Sequence, residues 1–338
     1  QISKNVGVAL IDALREALSF NPVNVLFLSG GIDSALLASL EPHIPAITVG
    51  LEDKALDLQY AKEVADYLGL DWHPIVVSRE KAVEALVDLI QITQSYDIGL
   101  LNDIPLLLAM RYSQEKGWTS ARTGDVADTL FCGYSYLQEE GFDIQSYLMN
   151  LIPHIQVQSG ILGHLIGMRV EHPYLYSKVV HIAQAATLSD NVAKLNLSSH
   201  GDFHSRSNAS DTSGLYTWGK ISLRNASKGL LPKNIIWRVK TDLEYGSGMY
   251  ILEEELTKRV NSTEFEILKA SGMHFWNLSH IALYQWYKQL GCSPKTPKVG
   301  EYQCQWCGSG NIIGRGHCST CGAYPAQEKP NTFIVVNK

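Results

Sequence analysis

The chain has 338 residues, 45% hydrophobic and 18% charged, and a formal net charge of −6. This composition suits a globular chain, long enough for one large domain plus a small one, or two of moderate size, and argues against a globally basic nucleic-acid binder. The charge is uneven: Tyr284 to Lys338 carries six Lys/Arg against two Asp/Glu, a weakly basic tail of net +4 on a body of net −10. No apolar run approaches the roughly 18–20 residues that span a bilayer, so no membrane partner is expected. The N-terminus lacks the basic start and apolar segment of a secretory leader. Four of the six cysteines cluster in metal-like pairs, unlike a secreted disulfide framework. A cytoplasmic protein is expected, and Gln1 in place of Met suggests a trimmed start.

The first predicted element is an amphipathic helix, where Val6, Leu10, Leu14 and Leu18 recur at helical spacing. Residues 23–28 (VNVLFL) are a short apolar run like a buried parallel strand, and a helical pattern follows from Ser34 to Leu40. Further strands are expected at 44–51, 71–78 and 118–123. Helices are expected at 55–70, with Gly69 as C-cap, and at 79–93 and 104–117. The alternation predicts an α/β fold, a parallel sheet with helices on both faces. After about residue 135 helical segments dominate, at 144–152, 177–187, 250–259 and 277–290. The polar stretch 197–214 reads as a long loop or insertion. His200, Asp202 and His204 within it are either metal ligands or part of a solvated surface. The expected organisation is a domain at 1–290, α/β to about 135 and helical after it, a linker at 291–300, and a small module at 301–338.

That module carries Cys304-x2-Cys307, ten residues, then Cys318-x2-Cys321. A tight turn lets both thiolates of such a pair face one ion, and two pairs make a tetrahedral set for zinc. Gly308 and Gly322 each follow a pair, where a turn favours a residue with no Cβ. Four sulfurs leave no open coordination position, so a structural ribbon is expected. Iron on the same ligands, His317 in place of one Cys, and free thiols or disulfides are the alternatives.

The most informative stretch is VLFLSGGIDSALLASL at 25–40. Ser29, Gly30 and Gly31 directly follow a strand, and Asp33 and Ser34 open a helix. Two glycines let backbone N–H groups approach an anion, and a helix N-terminus adds partial positive charge. Asp33 repels phosphate by itself, so it either holds a bridging divalent cation or caps the helix. The string S-G-G-x-D-S resembles the pyrophosphate-binding loop of the N-type ATP pyrophosphatases, the PP-loop superfamily. It differs from the G-x-x-x-x-G-K-S/T loop, which is absent here.

Four further stretches, in order, resemble the synthetase domain of asparagine synthetases and their β-lactam-forming relatives. TGDVADTLFCGY (123–134) is similar to G-E-G-A-D-E-L-F-G-G-Y, and VEHPYLYSKVVHIAQAA (170–186) to R-x-P-F-L-D and the helix after it. KISLRNASKGLLPKNIIWRVK (220–240) is similar to K-x-x-L-R-x-A, L-P-x-x-I and R-x-K, and GSG (246–248) to a glycine-rich turn. The resemblance covers roughly residues 20–250 and leaves out the 197–214 insertion and the ribbon. It implies an adenine nucleotide alpha hydrolase-like fold and an ATP-dependent, AMP- and pyrophosphate-forming ligase. Carried over by position, it implies Asp33 and Asp128 as magnesium ligands, and Leu28, Ser29, Gly30, Gly31 and Ser34 around pyrophosphate. It implies Val49 and Gly50 beside adenine, Gly124 near the nucleotide, Lys240 on the departing pyrophosphate, and Asp125 as base or substrate-orienting group.

The departures are Asp125-Val126 for E-G, Thr129 for the final acidic residue and Cys132 for a glycine. Cys132 reads as a small buried residue rather than a nucleophile. Without the resemblance, Arg238 and Lys240 read as a solvated surface pair. Glutamine-using asparagine synthetases begin with a cysteine nucleophile, whereas no Cys precedes Cys132 here. The expected partners are a small-molecule carboxylate and, for nitrogen, free ammonia, an amine or a separate glutaminase, unless a glutaminase domain has been removed from the chain. Two alternatives stand beside the ligase. One is a PP-loop tRNA-modifying enzyme that binds RNA through its ribbon; the other is a non-catalytic nucleotide-binding protein.

Overall fold

The computed structural model describes residues 2–52, 55–196, 215–260, 262–270, 273, 275–314 and 316–327. The 197–214 insertion, with His200, Asp202 and His204, lies outside the described residues. The chain divides into two compact units, residues 1–77 with 105–248 and residues 78–104 with 249–338. These boundaries run differently from those expected at 290/291 and 300/301.

The first half of the chain contains α1 (Ile2–Phe20), β1 (Val25–Phe27), α2 (Ile32–Leu40), β2 (Ala46–Leu51), α3 (Leu56–Leu68), β3 (Trp72–Val77), α4 (Arg79–Thr93), α5 (Leu100–Glu115), β4 (Ser120–Arg122) and α6 (Ala127–Leu130). It continues through α7 (Ile144–Leu151), α8 (Gln158–Ile166), β5 (Arg169–Glu171), α9 (Ser177–Ala185) and α10 (Leu188–Asn191). Then come β6 (Ala193–Leu195), β7 (Tyr216–Trp218), α11 (Ile221–Ala226), α12 (Lys233–Ile236) and α13 (Leu243–Gly246). The remainder is α14 (Ile251–Thr257), α15 (Ser262–Ala270), α16 (Leu278–Gln289) and the hairpin β8 (Glu301–Gln303) with β9 (Gly310–Ile312). No described helix is long and apolar enough to cross a membrane.

In the first unit five parallel strands are ordered β3-β2-β1-β4-β5. The apolar runs of β1 and β2 are buried throughout, as strands covered on both faces must be. Leu10, Leu14 and Leu18 of α1 enter the same core as Leu26, Leu36 and Leu37. Each such side chain contributes roughly 1.5–3 kcal/mol by leaving water. Helix α3 ends on Gly69 at φ 67, a left-handed C-cap as expected. Two expectations are corrected. Helix α5 begins at Leu100, not 104, with Pro105 inside it and backbone turns at 97–102 leading in. Strand β5 has no counterpart among the predicted strands; it is three residues long and only half-buried, too short to show an alternating pattern.

The order reverses between β1 and β4, whose neighbours lie on opposite sides. Open α/β sheets bind ligands at the carboxyl ends of strands at such a reversal. The Ser-Gly-Gly turn follows β1 and the 123–134 segment follows β4, so the fold brings the two strongest motifs to that point.

In the second unit α4 packs on α16, and α16 on α14. Ser78 caps α4, accepting from Lys81 N at 3.3 Å. Tyr96 is buried among Phe275, His280, Tyr284 and Tyr287, with ring centroids 5.0–6.4 Å away. The cysteine module docks on this segment: Tyr96 N and Ser95 Oγ both donate to Thr320 O, at 2.8 and 3.1 Å.

Candidate active site

The turn after β1 is folded on itself by its serines. Gly31 N donates to Ser29 Oγ at 3.2 Å, Ser29 N donates to Ser34 Oγ at 3.2 Å, and Ser34 Oγ donates to Gly31 O at 3.3 Å. Gly30 has φ 69, and a Cβ there would strike the backbone of Tyr60 and Ala61 on α3. A Cβ on Gly31 would meet only Ser29 Oγ, at 3.2 Å, so this side of the turn is open. Gly31 is the N-cap of α2 and no side chain caps it, so Asp33 is free of the capping role. Leu28 is buried, its carbonyl accepting from Thr48 Oγ1 at 2.6 Å. Gly124 follows β4 so closely that a Cβ would lie 2.8 Å from Ser34 N. In β2, Val49 is buried, and Gly50 leaves the space that Leu58 of α3 and Ala55, just before that helix, fill.

Asp33 and Asp128 converge on a buried lysine. Lys220 Nζ lies 2.6 Å from Asp33 Oδ2 and 2.7 Å from Asp128 Oδ1. Lys240 Nζ stands 3.8 Å from Asp128 Oδ2, 2.8 Å from Asp242 Oδ1 and 4.9 Å from the centre of the Tyr134 ring. Burial pushes Asp33 above the usual carboxylate range; Lys220 opposes this and Asp128 reinforces it. Asp128 goes the other way: burial would raise it, but Lys220 and Lys240 together hold it below that range. Burial disfavours the Lys240 charge, yet Asp128 and Asp242 raise its pKa above that of an ordinary lysine. Lys240 is thus a fixed cation.

The pair fits a magnesium ion. Both carboxylates reach the Lys220 ammonium, and Asp33 Oδ1 is buried with no hydrogen-bond partner. Among the described residues no third His, Cys, Asp or Glu joins them. Magnesium is commonly held by one or two carboxylates, with phosphate and water oxygens completing its octahedron.

A frame of buried arginines aims the segment that carries both lysines. Arg224 donates from Nε to Gly219 O at 3.0 Å and from Nη1 to the carbonyls of Ile236 and Arg238, and it lies over Trp218 and Trp237. Burial lowers its pKa to about 10. Arg238 donates to Ser29 O at 2.8 Å and to Asp57 Oδ1 at 2.6 Å, tying this segment to the turn after β1. Arg238 is buried and Lys240 mostly so, which corrects the reading of a solvated pair. Gly133 leaves the space the lysine needs: a Cβ there would meet Asp128 and lie 2.5 Å from Lys220 Cε. Tyr174 donates to Asp33 O at 3.0 Å from beneath.

Asp125 stands at the edge of this cluster with its side chain 40% exposed, accepting from Thr123 Oγ1 at 2.8 Å and from Ser159 Oγ. The departures from the family's glycines fall on left-handed backbone: Val126 has φ 75 and Cys132 has φ 57. Such positions cost a β-branched residue about 1–3 kcal/mol. Val126→Gly is therefore expected to raise stability by about 1 kcal/mol after the added chain entropy is subtracted. An unchanged or lowered urea midpoint would contradict that strain. Cys132 is fully buried and its thiol is pushed up to about 12, so it is inert.

Sequence reasoning missed Lys220, Arg224, Gly133, Tyr174, Ser159 and His172. Lys220 and Arg224 stood at the head of the 220–240 resemblance; Lys220 is the N-cap of α11, at φ 59, and Arg224 lies in its last turn.

In the second unit the sulfurs of Cys304, Cys307, Cys318 and Cys321 all lie within 4.8 Å of one another. Cys304 and Cys321 are 3.8 Å apart, and Cys307 and Cys318 are 3.6 Å apart. A tetrahedron with Zn–S of about 2.3 Å has edges of roughly 3.8 Å, so the set fits one ion. Trp306 N, Thr320 N and Asn311 Nδ2 point at Cys304 or Cys318 sulfurs at 3.4 Å, as donors to thiolates do.

The asparagine synthase family model matches residues 5–146. The glutamine-hydrolysing asparagine synthetase 2 of Lotus japonicus is 25% identical over 302 residues, 82% of this chain and 48% of the relative. A probable asparagine synthetase of Dictyostelium discoideum is 26% identical over 279 residues, covering 72% and 47%. Asparagine synthetase 1 of Arabidopsis thaliana is 33% identical over 141 residues, covering 37% and 24%. The chain thus spans about half the length, or less, of these curated relatives. Among solved structures, the U34-tRNA thiolase NcsA from Methanococcus maripaludis with its 4Fe-4S cluster matches over 92% of this chain and 84% of that one. At 13% identity and a TM-score of 0.27, that likeness carries no argument.

Proposed function

We propose that this chain, which carries an asparagine synthase domain at residues 5–146, is an ATP-dependent amide ligase that forms AMP and pyrophosphate. The observation supporting this is the buried Asp33–Lys220–Asp128–Lys240 constellation at the carboxyl ends of β1 and β4, beside the Ser29–Ser34 turn. In this reading Leu28, Ser29, Gly30, Gly31 and Ser34 hold the pyrophosphate end of ATP. Val49 and Gly50 border adenine, and Gly124 lies near the nucleotide. Asp33 and Asp128 would hold magnesium, which would supply charge neutralisation for the phosphate oxygens. A carboxylate oxygen of the substrate attacks the α-phosphorus, and pyrophosphate departs against the fixed charges of Lys220 and Lys240. Ammonia or an amine then attacks the acyl carbon, AMP leaves with the bonding electrons, and Asp125 takes the surplus proton. The nitrogen is supplied as an amine or as ammonia, free or released by a glutaminase. Zinc on the four cysteines is structural.

Pyrophosphate release is expected when the chain is given Mg-ATP, hydroxylamine or ammonia, and one acid from a panel of small carboxylates. Asp33→Ala is expected to lower that rate by about a hundredfold or more while far-UV circular dichroism is retained. Unchanged turnover in this variant refutes the reading.

A further inference from the structure

Beside the phosphate site lies a polar cluster in which Asp125 meets Ser159 and His172, two residues that no role has yet been given. Ser159 of α8 is 1% exposed, and its Oγ touches both Asp125 Oδ2 and, at 2.9 Å, His172 Nε2. His172 Nε2 is 3.9 Å from Asp125 Oδ2, too far for a direct hydrogen bond, so the hydroxyl is the link. The imidazole is seated against α8: a Cβ on Gly160 would lie 2.9 Å from His172 Cε1. His172 also lines a cleft of about 320 Å³ shared with Asn21, Arg122, Glu171 and Tyr176.

We infer that Asp125, Ser159 and His172 form one proton relay, in which Ser159 passes on to His172 the proton that Asp125 takes from the nitrogen nucleophile. This rests on the ligase reading above. A hydroxyl has one proton and lies here between two partners, so the cluster has two satisfied arrangements. In one, Ser159 donates to the Asp125 carboxylate and accepts from His172 Nε2–H. In the other, protonated Asp125 donates to Ser159, and Ser159 donates to the bare Nε2.

During amide formation the C–N bond forms, the acyl C–O bond to AMP breaks, and the nitrogen must shed one proton. Asp125 accepts it. Its transfer to Ser159, with the serine proton moving to Nε2, restores the carboxylate and leaves an imidazolium. The cleft supplies water that takes the proton away.

The groups facing His172 are Asp125 from the turn after β4 and, from β5, Glu171 with its partner Arg169 at 2.6 Å; Arg122 of β4 lies in the shared cleft. Burial lowers the His172 pKa below the ordinary imidazole value against the pull of Asp125 and Glu171, which favours the neutral, proton-accepting ring. Below that lowered value it already carries a proton, and transfer slows on acidification.

The test has two arms. The first measures hydroxamate formed per pyrophosphate released with an accepted acid and hydroxylamine. His172→Gln keeps an N–H donor near Ser159 but cannot accept a proton. Its ratio is expected to fall at least about tenfold, with loss of the acid limb that His172 sets. The second arm follows the His172 imidazole by 1H–15N NMR without substrate. Asp125→Asn is expected to lower its pKa, a coupling that mere packing does not produce. An unchanged ratio in His172→Gln, or an unchanged titration in Asp125→Asn, overturns the relay alone. Wild-type chain that releases no pyrophosphate with any acid overturns the ligase reading, and the relay with it.

Discussion

Replacing Lys220 with Met is expected to destabilise the protein by about 3–5 kcal/mol without divalent cations, and to abolish pyrophosphate release. The ammonium lies 2.6 and 2.7 Å from two buried carboxylates, and its removal leaves two like charges facing each other in a poorly solvated site. Lys240 cannot take over, since it is 3.8 Å from Asp128 and already paired with Asp242. Two remedies follow from the same electrostatics. Millimolar magnesium is expected to raise the melting temperature of Lys220→Met more than that of wild type, because the cation then replaces the missing counter-charge. Adding Asp128→Asn is expected to recover part of the loss by removing one of the repelling charges. Urea midpoints with and without magnesium give the answer. A wild-type midpoint for Lys220→Met in metal-free buffer would show that the lysine balances no buried charge.

Cys318→Ser is expected to cost the protein its bound metal and the fold of residues 301–327. Structural zinc sites bind with apparent energies of about 10–16 kcal/mol, and the folding of so small a segment depends on that energy. Fresh wild-type protein is expected to carry one zinc ion per chain by elemental analysis. Finding iron instead would leave the structural role and change the element. Loss of the ion is also expected to reach Tyr96, whose amide donates to Thr320 O beside the third and fourth cysteines. Hydrogen exchange at the Tyr96 amide is thus expected to rise in the variant, together with a change in the fluorescence of Trp306, which stands between the first two cysteines. Retained protection of that amide in metal-free protein would mean that the module folds without metal.

The turn after β1 was legible because its information is local. Gly30 needs a left-handed φ, Gly31 leaves one side open, and Asp33 and Ser34 lie within one helical turn. The four cysteines were legible for the same reason, since each pair folds as a turn of four residues. Lys220, Arg238 and His172 were not legible as site residues. Lys220 meets Asp33 across 187 positions, Arg238 meets Asp57 across 181, and His172 reaches Asp125 only through Ser159. No periodicity encodes such pairs, and a lone basic residue in sequence is ordinarily solvated.

By itself, then, the sequence determined the β-α alternation, the turn that follows the first strand, the tetrahedral cysteine set and the resemblance that joins Asp33, Asp128 and Lys240. These depend on steric demands and spacing within a few residues, or on an ordered series of motifs. Tertiary structure alone decided that β5 completes the sheet, that the strand order reverses between β1 and β4, and that a buried lysine stands between the two aspartates. It also decided that Asp125 has a serine and a histidine behind it. Burial and charge pairing are properties of surroundings assembled from distant segments, and they exist only once the sheet has brought those segments together.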